Sequence, residues 1–283
     1  MIQDLAAEPR DAPPLQRARG VARIEAKTAD SATRLARLYQ DGCAKIRLPR
    51  DHAAASLEAV LINSSGGLTG GDRMDWRASA QAGARLTLST QACEKVYRAR
   101  PGHAGDGRAE VGVALDVATG ARIDWLPQET ILFDGAALSR TLEADLAADA
   151  RLLAVEAVVL GRTAMGETVR RGALRDRWRI RREGKLVFAD DLRFEGPVAQ
   201  VAGLAPTLAG AAAFASLLLV AEDAQRLLGP LRAAIGPFGG ASAFEGKLFA
   251  RIVAPDGLAL RRVLLPAIAI LRDGAPVPRI WRI

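Results

Sequence analysis

The sequence predicts a mainly-β protein that folds as a single domain, with two helices in its C-terminal third. Apolar and polar residues alternate in short runs between residues 20 and 220, as at Val111, Val113 and Leu115. Such alternation between glycine-containing turns is typical of strands. Beyond residue 220 the apolar spacing changes to three and four, which is typical of helices. No internal repeat, low-complexity segment or linker divides the chain.

The first residues are predicted to be a loose tail. Pro9, Pro13 and Pro14 lie among charges and alanines in residues 1–16. Residues 17–283 then form the single domain. A chain of this size buries roughly three quarters of the surface that its unfolded form exposes, so a substantial core is expected.

Strands follow one another through the next two hundred residues. An alternating run predicts a strand around Leu86 and Leu88, and a second predicts a hairpin that turns at Glu183-Gly184. The segment from Gly196 to Ala221 carries no charge, but glycines and a proline interrupt it and much of it is alanine. We therefore predict a loop and then a buried strand around 217–220, not a membrane span.

Two segments of the C-terminal third have the apolar spacing of helices. They run from Glu222 to Ile235 and from Leu258 to Leu271, and Gly236 and Gly274 follow as stops. Pro266 lies inside the second segment and should kink or split it. Apolar helical faces are more often core than interface, so we expect both helices to pack on the domain.

Composition and charge narrow the classes of function. The chain is 49% hydrophobic and 25% charged, as in ordinary soluble proteins. Its net charge is +7, and 39 basic residues less five lysines leave 34 arginines. Arginine favours acidic partners. Nucleic-acid binding is disfavoured, because the basic cluster from Arg170 to Arg182 contains only one aromatic residue, Trp178. The N-terminus lacks the pattern of a signal peptide, so we expect a cytoplasmic protein.

The cysteines and histidines do not form a metal-binding pattern. Cys43, Cys93, His52 and His103 are the full set, and none has the close spacing of a structural zinc or tight nickel site. A Cys93–His103 nucleophilic pair lacks an orienting third group, and a small buried hydrophobe is the usual interpretation of such a cysteine. The sequence therefore predicts no tightly bound cofactor.

A glycine-rich loop follows the apolar run that ends at Ile62. Its glycine pairs are Gly66-Gly67 and Gly70-Gly71, and Asp72 follows directly. Glycine tolerates positive φ and close backbone approach, so the spacing predicts a sharply folded turn between two strands. The positions do not match either phosphate-binding glycine motif, which argues against a nucleotide site.

Acidic residues beside glycines or within apolar segments are the other candidates for a functional site. Glu156 lies in the apolar run 152–160, where an ionised carboxylate needs a cation or hydrogen-bond donors. The structural interpretation is an internal ion pair with Arg162 or Arg140. The complete set of candidates is Asp72, Glu94, Glu129, Glu156, Glu167 and Asp190.

Five segments, in this order and spacing, resemble the UreD family of urease accessory proteins, also called UreH. The resemblance runs from about residue 17 to the C-terminus. One departure is Ser64-Ser65, where many members carry a different pair. Besides the glycine-rich loop, the segments are Ser89-Thr90-Gln91-Ala92-Cys93-Glu94-Lys95-Val96-Tyr97-Arg98, Trp125-Leu126-Pro127-Gln128-Glu129-Thr130-Ile131-Leu132-Phe133-Asp134-Gly135, Glu156 to Arg162 with Met165-Gly166-Glu167, and Pro278-Arg279-Ile280-Trp281.

The resemblance implies both a fold and a role. The fold would be an irregular, layered, β-helix-like arrangement of short strands. The role would be that of a non-enzymatic maturation factor that binds apo-urease and recruits UreF and the GTPase UreG for GTP-dependent nickel insertion. Nickel would pass transiently through an internal acidic passage, for which the six carboxylates above are the candidates. Oxygen ligands suit such passage, because they release a metal that thiolates or imidazoles would retain.

Two other classes of function stay open at the level of the sequence. The first is an enzyme that uses the loop from Gly66 to Asp72 as an active-site turn, with Glu94 or Glu129 as general base; it would turn over a substrate without partner proteins. The second is an arginine-rich nucleic-acid-binding protein, which would show an affinity that falls steeply with salt.

Overall fold

The computed structural model describes residues 16–49, 56–99, 107–162 and 165–282, so nearly all of the predicted tail lies outside the described residues. The strands are β1 (Arg19–Ala29), β2 (Ala32–Gly42), β3 (Ala44–Arg47), β4 (Leu57–Asn63), β5 (Arg73–Ala80), β6 (Arg85–Thr90), β7 (Glu94–Val96), β8 (Ala109–Val117), β9 (Arg122–Leu126), β10 (Thr130–Leu132), β11 (Ala137–Leu146), β12 (Arg151–Leu160), β13 (Gly172–Arg182), β14 (Lys185–Gly196), β15 (Ala213–Val220), β16 (Gly239–Phe244) and β17 (Lys247–Ala254). The helices are α1 (Val198–Gly203), α2 (Leu228–Ile235) and α3 (Gly257–Leu271).

The strands form two sheets. Sheet A has seven strands in the order β14-β13-β11-β8-β5-β1-β2. Sheet B has ten strands. Its main order is β16-β17-β15-β12-β9-β6-β4-β3, and β10 joins both β12 and the short strand β7. All the described strands belong to one of these two sheets.

The chain passes back and forth between the two sheets. From β4 onward it alternates between sheet B and sheet A through β5, β6, β8, β9, β11, β12 and β13, apart from the short strands β7 and β10. The strands of this path pair in parallel with their neighbours within each sheet. The result is a two-layered, β-helix-like arrangement, and the predicted fold class is confirmed.

The main core lies between the two sheets. Even-numbered positions of β11, β12 and β13 face it, so Leu138, Leu152 and Leu174 are each no more than 1% exposed. The predicted hairpin at Glu183-Gly184 is present between β13 and β14, with positive φ at both turn residues. Buried and less buried residues therefore alternate along β11 and β13, whereas β12 is buried on both faces.

A second apolar cluster lies on the outer face of sheet B, where α3 packs against β12, β15 and β17 and α2 packs against β16 and α3. The predicted packing of both helices on the domain is confirmed. The first predicted helix is shorter than expected: a 3-10 turn covers Ala224–Leu227, and α2 begins at Leu228. Gly229 and Pro230 favour a new helical start there, because proline is tolerated in a first turn.

Helix α3 is uninterrupted from Gly257 to Leu271, so Pro266 does not split it, and the alternative of a kink stays a prediction. Proline has no amide hydrogen, so the carbonyl of Arg262 loses its partner in the helix. Both residues are exposed, and water can bind that carbonyl instead. The carboxylate of Asp256 caps the N-terminus by accepting from the Ala259 amide at 2.8 Å.

The uncharged segment 196–221 contains the short helix α1, which the sequence did not predict, and then the buried strand β15, which it did. Within the described residues no helix is long and apolar enough to cross a membrane. At the C-terminus, the Trp281 indole is 1% exposed and donates to the Leu126 carbonyl at 3.0 Å. The last described turn is therefore packed onto the domain.

Candidate functional site: a charged cavity between the sheets

A small cavity with polar walls lies between the sheets, where the strands of sheet A begin and several strands of sheet B end. Its volume is about 50 Å³. A polar cavity of this size has room for roughly three water molecules. Apolar side chains such as Leu68 and Trp125 form part of the wall. The polar residues that line it are Thr90, Glu94, Gln128, Thr130, Arg140 and Glu156.

Three charged side chains meet beside this cavity, all on inward-facing positions of their strands. Arg140 on β11 donates to both carboxylate oxygens of Asp176 on β13, at 3.2 and 2.6 Å. It also forms an ion pair with Glu156 on β12 of the opposite sheet. None of the three is more than 5% exposed. The predicted internal ion pair of Glu156 is confirmed, and its partner is Arg140, not Arg162.

The triad has one cation for two carboxylates. Burial raises the pKa of Glu156 above its usual value, and repulsion from Asp176 adds to this, whereas Arg140 and the Trp125 indole oppose it. The indole donates to Glu156 at 2.8 Å. Burial lowers the pKa of Arg140, but the two carboxylates raise it further, so the net change is upward. Arg140 is therefore a fixed positive charge.

Glu94 is the second carboxylate that faces the cavity. Its oxygens accept from the Asn63 side-chain amide at 3.1 and 3.2 Å, and no described cation pairs with it. Burial raises the pKa of Glu94 to about 7, while the Asn63 amide and a backbone amide lower it. If all were ionised, Glu94 and the triad would together carry three negative charges and one positive charge in a poorly solvated space.

The glycine-rich loop covers this end of the two sheets. Its residue Leu68 is fully buried, lines the cavity and pairs with Val96. A glycine is needed at position 67 for the loop to pass so close to β7. A Cβ on Gly67 would lie 2.8 Å from the Lys95 carbonyl oxygen, and the φ of Gly67 is +141°. Gly66 and Gly71 also have positive φ, and a Cβ on Gly70 would meet the Gly107 backbone. The predicted sharp turn between two strands is confirmed.

Asp72 stabilises that loop and is not at the cavity. Its two carboxylate oxygens accept from the backbone amides of Ala18 and Thr69, each at 2.8 Å. The side chain is 5% exposed. The acidic residue after the second glycine pair thus holds the turn against the start of sheet A.

The remaining three candidate carboxylates lie apart from the cavity. Glu129 accepts from Arg261 of α3 through both oxygens, at 2.9 and 2.6 Å. Glu167 pairs with Arg162 at 2.9 Å, and this bond lowers the pKa of Glu167. Asp190 pairs with Arg251 at 2.6 Å. The structure therefore brings two of the six predicted residues, Glu94 and Glu156, to one cavity.

Sequence reasoning missed Asp176 and Asn63. A signal for Asp176 was present, because it occupies an inward position between Leu174 and Trp178 in an alternating run. No local signal identifies Asn63, since its role depends on where β4 ends relative to β7. Among the described residues, no three histidine, cysteine or acidic side chains are grouped to hold a metal ion. His52 and His103 lie outside the described residues.

The fold and the cavity together define a class of protein: a two-layered, β-helix-like domain whose interior contains a small cavity lined by carboxylates. A family model described as UreD urease accessory protein matches residues 18–282. The chain therefore belongs to the UreD family of urease accessory proteins.

Several curated relatives carry the name urease accessory protein UreD. The protein of Rhizobium leguminosarum bv. viciae is 54% identical over 95% of this chain and 96% of its own length. That of Chelativorans sp. is 53% identical over the full length of both chains. That of Agrobacterium fabrum is 52% identical over 95% of this chain and 92% of its own length. These names are those of accessory proteins and not of enzymes.

Proposed function

We propose that this chain is a non-enzymatic urease maturation factor of the cytoplasm. It binds apo-urease and recruits UreF and UreG, and UreG supplies nickel upon GTP hydrolysis. The cavity between the sheets is part of the path that nickel follows. Family membership supports the first part, and the cavity with Glu94 and Glu156 is the observation that carries the last.

The chemistry of the cavity fits a cation in transit. Glu94 offers carboxylate oxygens that accept from the Asn63 side-chain amide and a backbone amide but pair with no described cation, and Thr130 and Thr90 add hydroxyl oxygens. Oxygen ligands bind a first-row divalent cation less firmly than thiolate or imidazole ligands, which favours release. Arg140 neutralises part of the acidic charge and so weakens retention of a cation. A site of this kind lets nickel enter and leave.

The charge of the cavity supports the same assignment. Three carboxylates and one guanidinium would leave a net charge of −2 when all are ionised, and a buried charge of that size is costly without compensation. A divalent cation supplies compensation of matching size. A neutral or anionic passenger would not.

The first experiment tests the maturation role itself. Cells carry the urease structural genes, the other accessory genes and nickel, with this chain present or absent. We expect urease activity only when the chain is present. Activity that is indifferent to the chain, with the protein expressed and soluble beside its cognate urease, would overturn the proposal.

The geometry gives less support to an enzyme. Of the two candidate bases, Glu129 is held by Arg261 through both oxygens. The other, Glu94, accepts from the Asn63 amide and faces a cavity of about 50 Å³, which has no room for a substrate larger than a few water molecules. The geometry also gives less support to a nucleic-acid-binding protein, because several arginines on the outer face of sheet A pair with carboxylates, as Arg73 does with Asp75 and Arg175 with Asp191.

A further inference from the structure

Two sulfur atoms lie in contact beside the cavity. The Cys43 thiol donates to the Met74 thioether, with 3.3 Å between the sulfurs. Cys43 lies between β2 and β3 and is partly exposed. Met74 lies on β5, is 1% exposed and lines the cavity. The pair therefore spans the wall between the protein surface and the cavity.

The backbone leaves room for the thioether at this position. A Cβ on Gly20 would lie 2.8 Å from the Met74 sulfur and 2.5 Å from the Ala44 amide nitrogen. Both distances are too short for a side chain, so the pair of sulfurs depends on a glycine in β1. The methionine side chain itself can adjust, because it has three rotatable bonds and a polarisable sulfur.

The surroundings of the thiol carry negative charge. Burial raises the pKa of Cys43, the Ser65 hydroxyl opposes this, and the charges of Asp72 and Glu94 add to the increase. The negative charges of Asp72 and Glu94 disfavour a free thiolate at Cys43. The same charges attract a cation, so they favour a thiolate that has a cation bound to it. The wall of the cavity is thus a place where a sulfur-bound cation would be stabilised.

We propose that Cys43 and Met74 form a binding site for a soft monovalent cation, Cu(I) or Ag(I), in the wall of the cavity. A thiolate and a thioether are the ligands that select such ions over harder ones. Two-coordinate Cu(I) and Ag(I) prefer a near-linear arrangement, in which metal–sulfur bonds of about 2.3 Å, the length found for zinc, place the two sulfurs about 4.6 Å apart. The two sulfurs, now 3.3 Å apart, would therefore separate on binding, and the flexible methionine side chain permits this. On binding, the sulfur–cation bond forms, the S–H bond breaks and the proton leaves to solvent, with no change of oxidation state.

This site is distinct from the nickel path, which uses oxygen ligands, and does not depend on it. A soft cation held there would lie against the cavity and close to Glu94. Soft cations would therefore act on this protein directly, without competing for the same ligand atoms as nickel.

The test uses the purified full-length chain with Cys93→Ser, so that Cys43 is its only thiol. Ag(I) is titrated in chloride-free buffer, and protection of Cys43 from a thiol reagent is followed. We expect one equivalent to protect Cys43, and the further change Met74→Leu to weaken binding by about tenfold or more. Leucine fills nearly the same volume, so the fold should persist; the unfolding midpoint checks this. Equal affinity with Met74→Leu, or no protection of Cys43, would overturn the proposal.

X-ray absorption on the Ag(I)-loaded Cys93→Ser chain gives a second readout that needs no change at Met74. We expect two sulfur ligands in the first coordination shell. A single sulfur ligand would show that the thiol acts without the thioether and would contradict the site.

Discussion

Arg140 of sheet A and Glu156 of sheet B form an ion pair across the core of the protein. The two residues come from consecutive strands, β11 and β12, that face each other from opposite layers. Asp176 competes for the same guanidinium from the neighbouring strand. This contact sets the charge of the cavity, and it ties the two layers together at the point where nickel passage is proposed.

Removing the only cation of the triad should destabilise the fold strongly. Arg140→Met leaves Glu156 and Asp176 buried without a positive charge, and breaking a buried pair in this way costs about 3–5 kcal/mol. Urea unfolding measures the change. As a control, Arg73→Met removes two surface pairs, with Asp75 and Glu110, whose shared arginine side chain is 56% exposed, and should cost about 1 kcal/mol. Equal costs for the two variants would contradict the account of the triad.

The stability of the protein should depend on Glu94 in a pH-dependent way. Because its pKa in the folded protein is raised to about 7, ionising it costs free energy that the unfolded chain does not pay. Below about pH 4.5 Glu94 is protonated in both the folded and the unfolded chain, so the protein keeps its full stability. As the pH rises through 7, the cost of ionising the folded form lowers the free energy of unfolding. Glu94→Gln removes this cost, so the variant should be more stable than the original chain, and the difference should grow from pH 4.5 to 8. Because the side chain is only half-buried, we expect a difference of roughly 3 kcal/mol at most.

Glu195 supplies the control for that pH series. Hydrogen bonds from Arg193 and then Arg108 lower the pKa of Glu195 in the folded protein. The ionised Glu195 therefore adds to the free energy of unfolding above about pH 4.5, and this stabilisation is lost as the pH falls. Glu195→Gln should not become relatively more stable as the pH rises from 4.5 to 8. Denaturant midpoints at four or five pH values separate the two variants, and parallel curves would exclude a raised pKa at Glu94.

Two adjacent glycines of the loop should differ in their tolerance of a side chain. In Gly67→Ala the new Cβ meets the Tyr97 ring at 2.4 Å and the Lys95 carbonyl at 2.8 Å, and φ is +141°. In Gly66→Ala φ is also positive, but no atom lies within 4 Å of the new Cβ. We expect a loss of stability of about 1 kcal/mol for Gly66→Ala and about 2–3 kcal/mol for Gly67→Ala. Thermal unfolding of both variants measures the two losses. Equal losses would show that the close contact between Gly67 and the Lys95 carbonyl does not limit the side chain at this position.

Helix α3 should depend on the pair between Glu129 and Arg261. The guanidinium binds both carboxylate oxygens and also the Gln128 side chain, so it fixes α3 against the end of β9. Arg261→Met leaves a buried carboxylate unpaired and should cost about 3 kcal/mol. Hydrogen exchange in residues 257–271 should increase more than in β13. Uniform exchange across the chain would mean that the pair does not hold the helix locally.

Local patterns were sufficient for the fold class and for most element positions. Period-two alternation predicted the strands and the hairpin at Glu183-Gly184, and the apolar run 152–160 predicted that Glu156 is buried, because these features depend on residues close in sequence. The helix α1 was missed because its six residues are too short to show a period. The split at Pro266 was wrongly predicted because sequence alone does not show that Arg262 is exposed to water.

The composition of the cavity could not be predicted in the same way. Glu94 and Glu156 meet only because β7 and β12 are joined through β10, a contact between residues far apart in the chain. Asp72 was predicted as a candidate together with Glu94, yet the structure uses it to hold a turn. Which acidic residues share a space is decided by the register of the two sheets, and the sequence patterns do not encode that register.

The most direct test of the proposed passage is the nickel content of urease matured with Glu94→Gln and, separately, with Glu156→Gln. The second variant still leaves Arg140 balanced by Asp176, so both proteins should fold and assemble, and Glu110→Gln on the exposed face of sheet A is the control. We predict that both cavity variants co-purify with apo-urease at the original level but deliver less nickel, whereas the control delivers the full amount. Full nickel content with both cavity variants would contradict conduction through this cavity.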